Sequence, residues 1–250
     1  MRRIHHVIAL LAAIPVTATG QSTPPAAPAA PPVSALRDHI DRAQLRAQSD
    51  SFVVLIQGTP RGGQRIGMRP TATGWELQDA IAIGTMVQQS SSIVLNAALE
   101  ETTLRQRGVM SGRPMTIALD FANGRVRGTA DTPSNGPAGA LAIDTEVAPA
   151  VVDDNAVTPL LTALRWREAL DIRFPVFTSG KATVVTYRVR VLGADTVTVP
   201  AGTFDSWRAE LTTGSSSLLL HITRATPYRI LRMTSVGTPF DVQLVKAPVK

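Results

Sequence analysis

Thr183-Val-Val-Thr-Tyr-Arg-Val-Arg-Val-Leu-Gly193, continued by Ala194-Asp-Thr-Val-Thr-Val-Pro-Ala-Gly-Thr-Phe-Asp-Ser-Trp-Arg-Ala-Glu-Leu211, is the stretch that decides the fold. Apolar and polar residues alternate through both halves, the period of a strand with one buried face. In Val199-Pro200-Ala201-Gly202, Pro stands at the second and Gly at the fourth position of a tight type I turn. The stretch therefore reads as three strands joined by short reversals, for which antiparallel pairing is the accessible topology.

The same signals recur on both sides. Upstream, Met115, Ile117, Leu119 and Phe121 alternate cleanly before Asn123-Gly124, a strong hairpin signal, and Arg125–Asp131 returns. Phe52–Gln57 is a short apolar strand, with Gly62-Gly63 read as a hairpin turn and Gln64–Met68 returning. Gly74–Val87 and Ser91–Gln106 read as strands, the segment Asn96–Leu104 being compatible with helix. Thr158-Pro159 predicts a helix start, with Leu160, Leu161, Ala163 and Leu164 giving a short apolar helix to about Trp166. Downstream lie Ser217–Thr223, Tyr228–Ser235 and Phe240–Val245, separated by turns containing Pro227 and Pro239. The expectation is a mainly β protein of about ten strands, a strongly curved antiparallel sheet forming a half-barrel or open barrel.

The N-terminus carries an address. Met1-Arg2-Arg3, the apolar run Val7–Val16 and the small residues Ala18-Thr19-Gly20 make a secretory signal peptide over residues 1–20. The run is too short to span a bilayer, and with no Cys in the chain no lipobox thiol exists to take a lipid. The expected location is periplasmic or secreted. Residues 21–33 form a Pro/Ala linker. Residues 34–48 put Leu36, Ile40, Ala43 and Ala47 on one stripe and predict an amphipathic helix ahead of the β domain at 49–250.

Charge and chemistry exclude more than they suggest. The net charge is +6, but the arginines are scattered along strands and lack interleaved aromatics, which argues against a nucleic-acid footprint. Only His39 and His221 remain beyond the signal peptide, so no zinc site or triad is assembled, and no cofactor fingerprint is present. Gly58 and Gly63 imitate a phosphate loop, yet Gln64 and Arg65 stand where Lys and Ser/Thr are required. Asp153-Asp154 and Glu100-Glu101 read as solvated pairs, and Asp120 and Asp205 as strand residues facing solvent or pairing with Arg.

Val197-Thr198-Val199-Pro200-Ala201-Gly202-Thr203-Phe204, the strand ending in Thr223 and Pro227-Tyr228-Arg229-Ile230-Leu231-Arg232 resemble a widespread family of secreted bacterial domains of unknown function. Gly124-Arg125-Val126-Arg127-Gly128 and Phe174-Pro175-Val176-Phe177 resemble its upstream landmarks, so the similarity runs from about Phe52 to Val245. That family is similar in architecture to the periplasmic lipoprotein carriers of the LolA/LolB type, a curved sheet wrapped around a helix whose concave face shelters acyl chains. The resemblance implies a fold and no catalytic residues.

The leading expectation is therefore a non-catalytic protein that binds a hydrophobic small molecule or lipid in envelope transport or maintenance. Its candidate lining is Trp75, Leu77, Met115, Ile117, Leu119, Phe121, Val185, Tyr187, Val189 and Trp207. Two alternatives stand beside it. One is a module that docks on an envelope protein through a strand edge; the other is a secreted hydrolase using carboxylates among Asp120, Asp144, Asp153 and Asp205.

Overall fold

Alternation becomes strand through most of the chain that a computed structural model describes, residues 30–149, 151–214 and 216–246. The stretch expected to be a signal peptide, residues 1–20, and most of the expected linker lie outside those residues. The first meander comprises β1 (Gln48–Ile56), β2 (Thr59–Pro70), β3 (Gly74–Ile83), β4 (Val87–Asn96), β5 (Glu101–Met110), β6 (Arg113–Ala122), β7 (Arg125–Asp131) and β8 (Leu141–Glu146). A two-residue strand β9 (Val152–Asp153) leads into the one α-helix among the described residues, α1 (Asp154–Leu160). The second meander is β10 (Asp171–Thr178), β11 (Thr183–Val199), β12 (Gly202–Thr213), β13 (Ser216–Thr223), β14 (Ile230–Ser235) and β15 (Phe240–Lys246).

All fifteen strands form one open sheet in the order β8-β7-β6-β5-β4-β3-β2-β1-β15-β14-β13-β12-β11-β10-β9. Every pairing is antiparallel except the short β9–β10 contact. The two meanders meet where β1 pairs with β15, Phe52 opposite Leu244 and Val54 opposite Val242. One face of the sheet carries the core: Val54, Ile66, Leu77, Ile93, Leu104, Leu119, Val189, Leu211, Leu220 and Leu244 are buried.

Expectation and structure part at specific places. Residues 34–48 do not form the amphipathic helix. They make two short 3-10 turns, Leu36–His39 and Arg42–Gln44, and enter β1 at Gln48. Leu36 and Ile40 are buried as the stripe requires, but Ala43 is exposed, and tertiary packing takes only the first half of the pattern. The second helix starts earlier than its Thr-Pro signal: Asp153 caps it by accepting from Asn155 N, and Pro159 lies inside its last turn. The reversal expected within Thr183–Val199 is instead a bulge at Gly193 in one 17-residue strand, whose register continues from Val191–Ala209 to Ala194–Trp207. Pro200 and Gly202 do turn the chain into β12.

Gly62-Gly63 is not a turn either. The hairpin reverses at Gln57-Gly58, and Gly62 lies inside β2, where a Cβ would sit 1.8 Å from the Ala82 carbonyl oxygen. Gly108 in β5 is in the same situation, 2.1 Å from the Gln88 carbonyl oxygen. Only glycine lets neighbouring strands approach so closely, and these positions let the sheet bend.

Candidate functional site

The concave side is occupied by the chain itself. α1 packs against β2, β3, β4, β9 and β10, and its Ala156, Val157, Pro159 and Leu160 are buried. The following turn buries Leu161, Thr162 and Ala163, and Trp166 closes it by donating from Nε1 to the Leu161 carbonyl at 2.7 Å. Gln48 Nε2 donates to the Thr162 hydroxyl, tying the plug to β1.

The ten apolar residues expected to line a ligand site are distributed accordingly. Leu77, Met115, Ile117, Leu119 and Val189 are buried in the core, while Trp75, Phe121, Val185, Tyr187 and Trp207 are half-buried and packed against it. Phe121 meets Phe177 edge-on at 6.2 Å and Tyr187 lies 6.2 Å from Phe174. These rows are brought together around the residues that fill the trough. Trp207 also lies under the Arg224 guanidinium at 4.7 Å, in a cleft shared with Phe204 and Asp205.

Two polar clusters inside the sheet escaped sequence reasoning. Asp79 faces inward between Leu77 and Ile81 and accepts from Gln64 Nε2 at 2.9 Å through both oxygens. It lies opposite Ser91 and Ser91 opposite Gln106, both buried, and burial pushes its carboxyl up to about 6. The second cluster joins strand to plug. Both oxygens of Glu101 accept the Asp153 backbone N–H, at 2.8 and 2.9 Å, and Asp154 accepts from Ser179 Oγ at 3.2 Å. Asp153 and Glu101 are buried, which corrects the reading of both as solvated. Burial pushes Glu101 up to about 8, with Asp154's charge adding to it, and burial with neighbouring carboxylates raises Asp153. Asp154 is raised by burial as well. This trio fastens the plug.

The hydrolase constellation does not converge. Asp120 on β6 pairs with Arg105 at 2.5 Å, Asp144 on β8 pairs with Arg125 and Arg127, and Asp153 and Asp205 lie on β9 and β12. Among the described residues no group of three His, Cys, Asp or Glu is placed to hold a metal ion.

The open clefts are on the other face of the sheet. Two clefts of about 430 and 890 Å³ run across β1 to β6. Their lining comes mainly from side chains that alternate with the buried ones. One is walled by Gly67, Gln78, Ser92, Arg105 and Ala118, the other by Gly63, Ala82, Gln88, Val109 and Pro114. They share Arg65, Ala80, Ser90, Arg107 and Thr116. Those five residues form one cross-strand row, each opposite the next in register. Small Ala80 and Ser90 make a low saddle joining the clefts, with an arginine on either side. The period-two pattern contained this row, since Gln78, Ala80, Ser90 and Ser92 are the polar and small alternates of buried residues.

Comparison with known proteins adds a family and a fold. A family model described as a protein of unknown function (DUF3108) matches residues 66–245. No curated protein matches. A crystal structure of a beta-barrel-like protein of the domain of unknown function DUF1849 from Brucella abortus is similar, with a TM-score of 0.50 at 9% identity, covering 81% of this chain and 97% of that one. At that identity the likeness is one of fold alone.

Proposed function

We propose a binding function for this chain, which belongs to the DUF3108 family of unknown function: it carries a lipid or other single-chain amphiphile, without catalysis, in the cell envelope. The site is the joined pair of clefts across β1 to β6. The observation that supports this reading is a groove floored by Gly67, Ala80, Ala82 and Ala118, with Val109 and Pro114 along one wall. A hydrocarbon chain lies on such a floor at a gain of at most about 0.8 kcal/mol for each methylene removed from water. The proposed envelope location follows from the signal pattern over residues 1–20.

Docking through a free strand edge has less support. The β8 edge bears Asp144 and Glu146 tied to Arg125 and Arg127, charge that discourages strand addition.

The test is displacement of a fluorescent fatty acid by dodecyl maltoside, with Ala80→Trp filling the saddle. Saturable uptake by the natural protein and its loss in A80W, with unchanged unfolding midpoint, are expected. No uptake, or equal uptake by A80W, removes the proposal.

A further inference from the structure

We infer that the amphiphile carries an anionic head, phosphate or carboxylate, clamped between Arg65 and Arg107 over the Ala80–Ser90 saddle. The inference rests on the amphiphile reading of the same groove and adds the chemistry of its polar end.

Arg65 on β2 and Arg107 on β5 lie in one row with two small residues between them. Three strand spacings place their Cα atoms about 14 Å apart, a gap across which two long side chains can fold toward a common centre. Both residues are exposed. Among the described residues neither guanidinium has a hydrogen bond or ion pair. The neighbouring arginines are committed: Arg105 holds Asp120 at 2.5 Å and the Leu119 carbonyl at 2.6 Å, and Arg69 holds Glu76. Glu76 also accepts from Ser92 at 2.8 Å and Gln78 at 3.0 Å, and Asp79, the carboxylate that the cleft lining does include, accepts from Gln64 Nε2 through both oxygens at 2.9 Å.

The row adds donors. The hydroxyls of Ser90 and Thr116 stand in the same row and are bonded to no other described residue. Asp131 lies beyond Thr116 at the far end of the row, opposite it on β7, and marks where the positive stretch stops. Two planar guanidiniums with the Ser90 hydroxyl in the row between them, and the Thr116 hydroxyl on the far side of Arg107, offer donors to the several acceptor oxygens of a phosphate or carboxylate. The small-residue clefts leading away on either side match the apolar tail.

The test compares three probes by titration calorimetry: dodecyl phosphate, dodecyl maltoside and inorganic phosphate. Dodecyl phosphate should bind best, and Arg65→Gln and Arg107→Gln should each weaken it about tenfold. The two variants should leave dodecyl maltoside unchanged. Arg208→Gln, an exposed arginine of β12, should alter neither and controls for overall charge.

Maltoside binding as tight as that of dodecyl phosphate, or dodecyl phosphate binding indifferent to R65Q and R107Q, overturns the clamp and leaves the amphiphile reading standing. Inorganic phosphate binding as tightly as dodecyl phosphate, with equal sensitivity to both variants, overturns the tail and hence the amphiphile reading. Failure of all three probes overturns both.

Discussion

Raising the pH from 6.5 to 8 should loosen this fold, because the plug is fastened by carboxyls that the folded chain keeps protonated. Glu101 is pushed up from 4.5 to about 8, and Asp153 and Asp154 are raised beside it, so the retained protons belong to the three together. A carboxyl with a raised folded pKa gives up its proton on unfolding, so its stabilising contribution is complete at low pH and is lost as pH rises to the folded value. Other groups act in other windows. Asp144, Asp171 and Asp241 are held low by their arginine partners, and their contribution is complete above about pH 4. Burial lowers His39 and His221 below 6.5, so they add stability with rising pH only up to that value. Asp79 has finished most of its loss by about 6. Between 6.5 and about 8 the trio is left, and one proton retained across that interval is worth about 2 kcal/mol. Urea unfolding at half-unit pH steps measures it. Glu101→Gln keeps an acceptor for the Asp153 N–H and removes one ionisable group, so its slope over the same interval should fall by about one proton. A natural protein whose stability is flat or rising from 6.5 to 8, or an E101Q variant as steep as its parent, refutes the reasoning.

Gly108→Val should cost several kcal/mol in urea unfolding, since the new Cβ would lie 2.1 Å from the Gln88 carbonyl oxygen; a cost below about 1 kcal/mol would deny the close approach. Leu160→Ala should cost about 3 kcal/mol and expose the trough to a hydrophobic dye, because that side chain is buried at the end of the plug. Asp50→Ala should cost about 3 kcal/mol by leaving the Arg229 guanidinium, 2.5 Å away, without its buried counter-charge. Asp50→Ala in an Arg229→Met background should cost clearly less, and equal costs in both backgrounds would disprove the coupling.

Much of this architecture was legible because period-two alternation is local. Met115 to Phe121, Asn123-Gly124 and Val199 to Gly202 gave strands and turns where the structure has them. What failed depended on register. Gly62-Gly63 has turn composition, but the reversal falls at Gln57-Gly58 and the glycines serve a close strand contact. Glu101 becomes an inward residue only because a bulge beside Leu95 shifts its phase against Leu104. Asp153 becomes buried only because α1 begins at Asp154 rather than at the Thr-Pro signal. Asp79 was readable, since it shares parity with Leu77, Ile81 and Ile83. Parity marks Arg65 and Arg107 as outward residues too, but their meeting in one row was not readable, because they are 42 positions apart in sequence and three strands apart in register.

The seam between β1 and β15 has a consequence for assembly. Strands on either side of it pair mostly with their sequence neighbours, so each meander can zip up from local hairpins. The join of Phe52 to Leu244 must wait until β15 has been made, almost two hundred residues after β1. Until then, the strand that will lie at the middle of the sheet is an unprotected border, and the nascent molecule is most open to pairing with a stranger at the place where the finished one is best sealed.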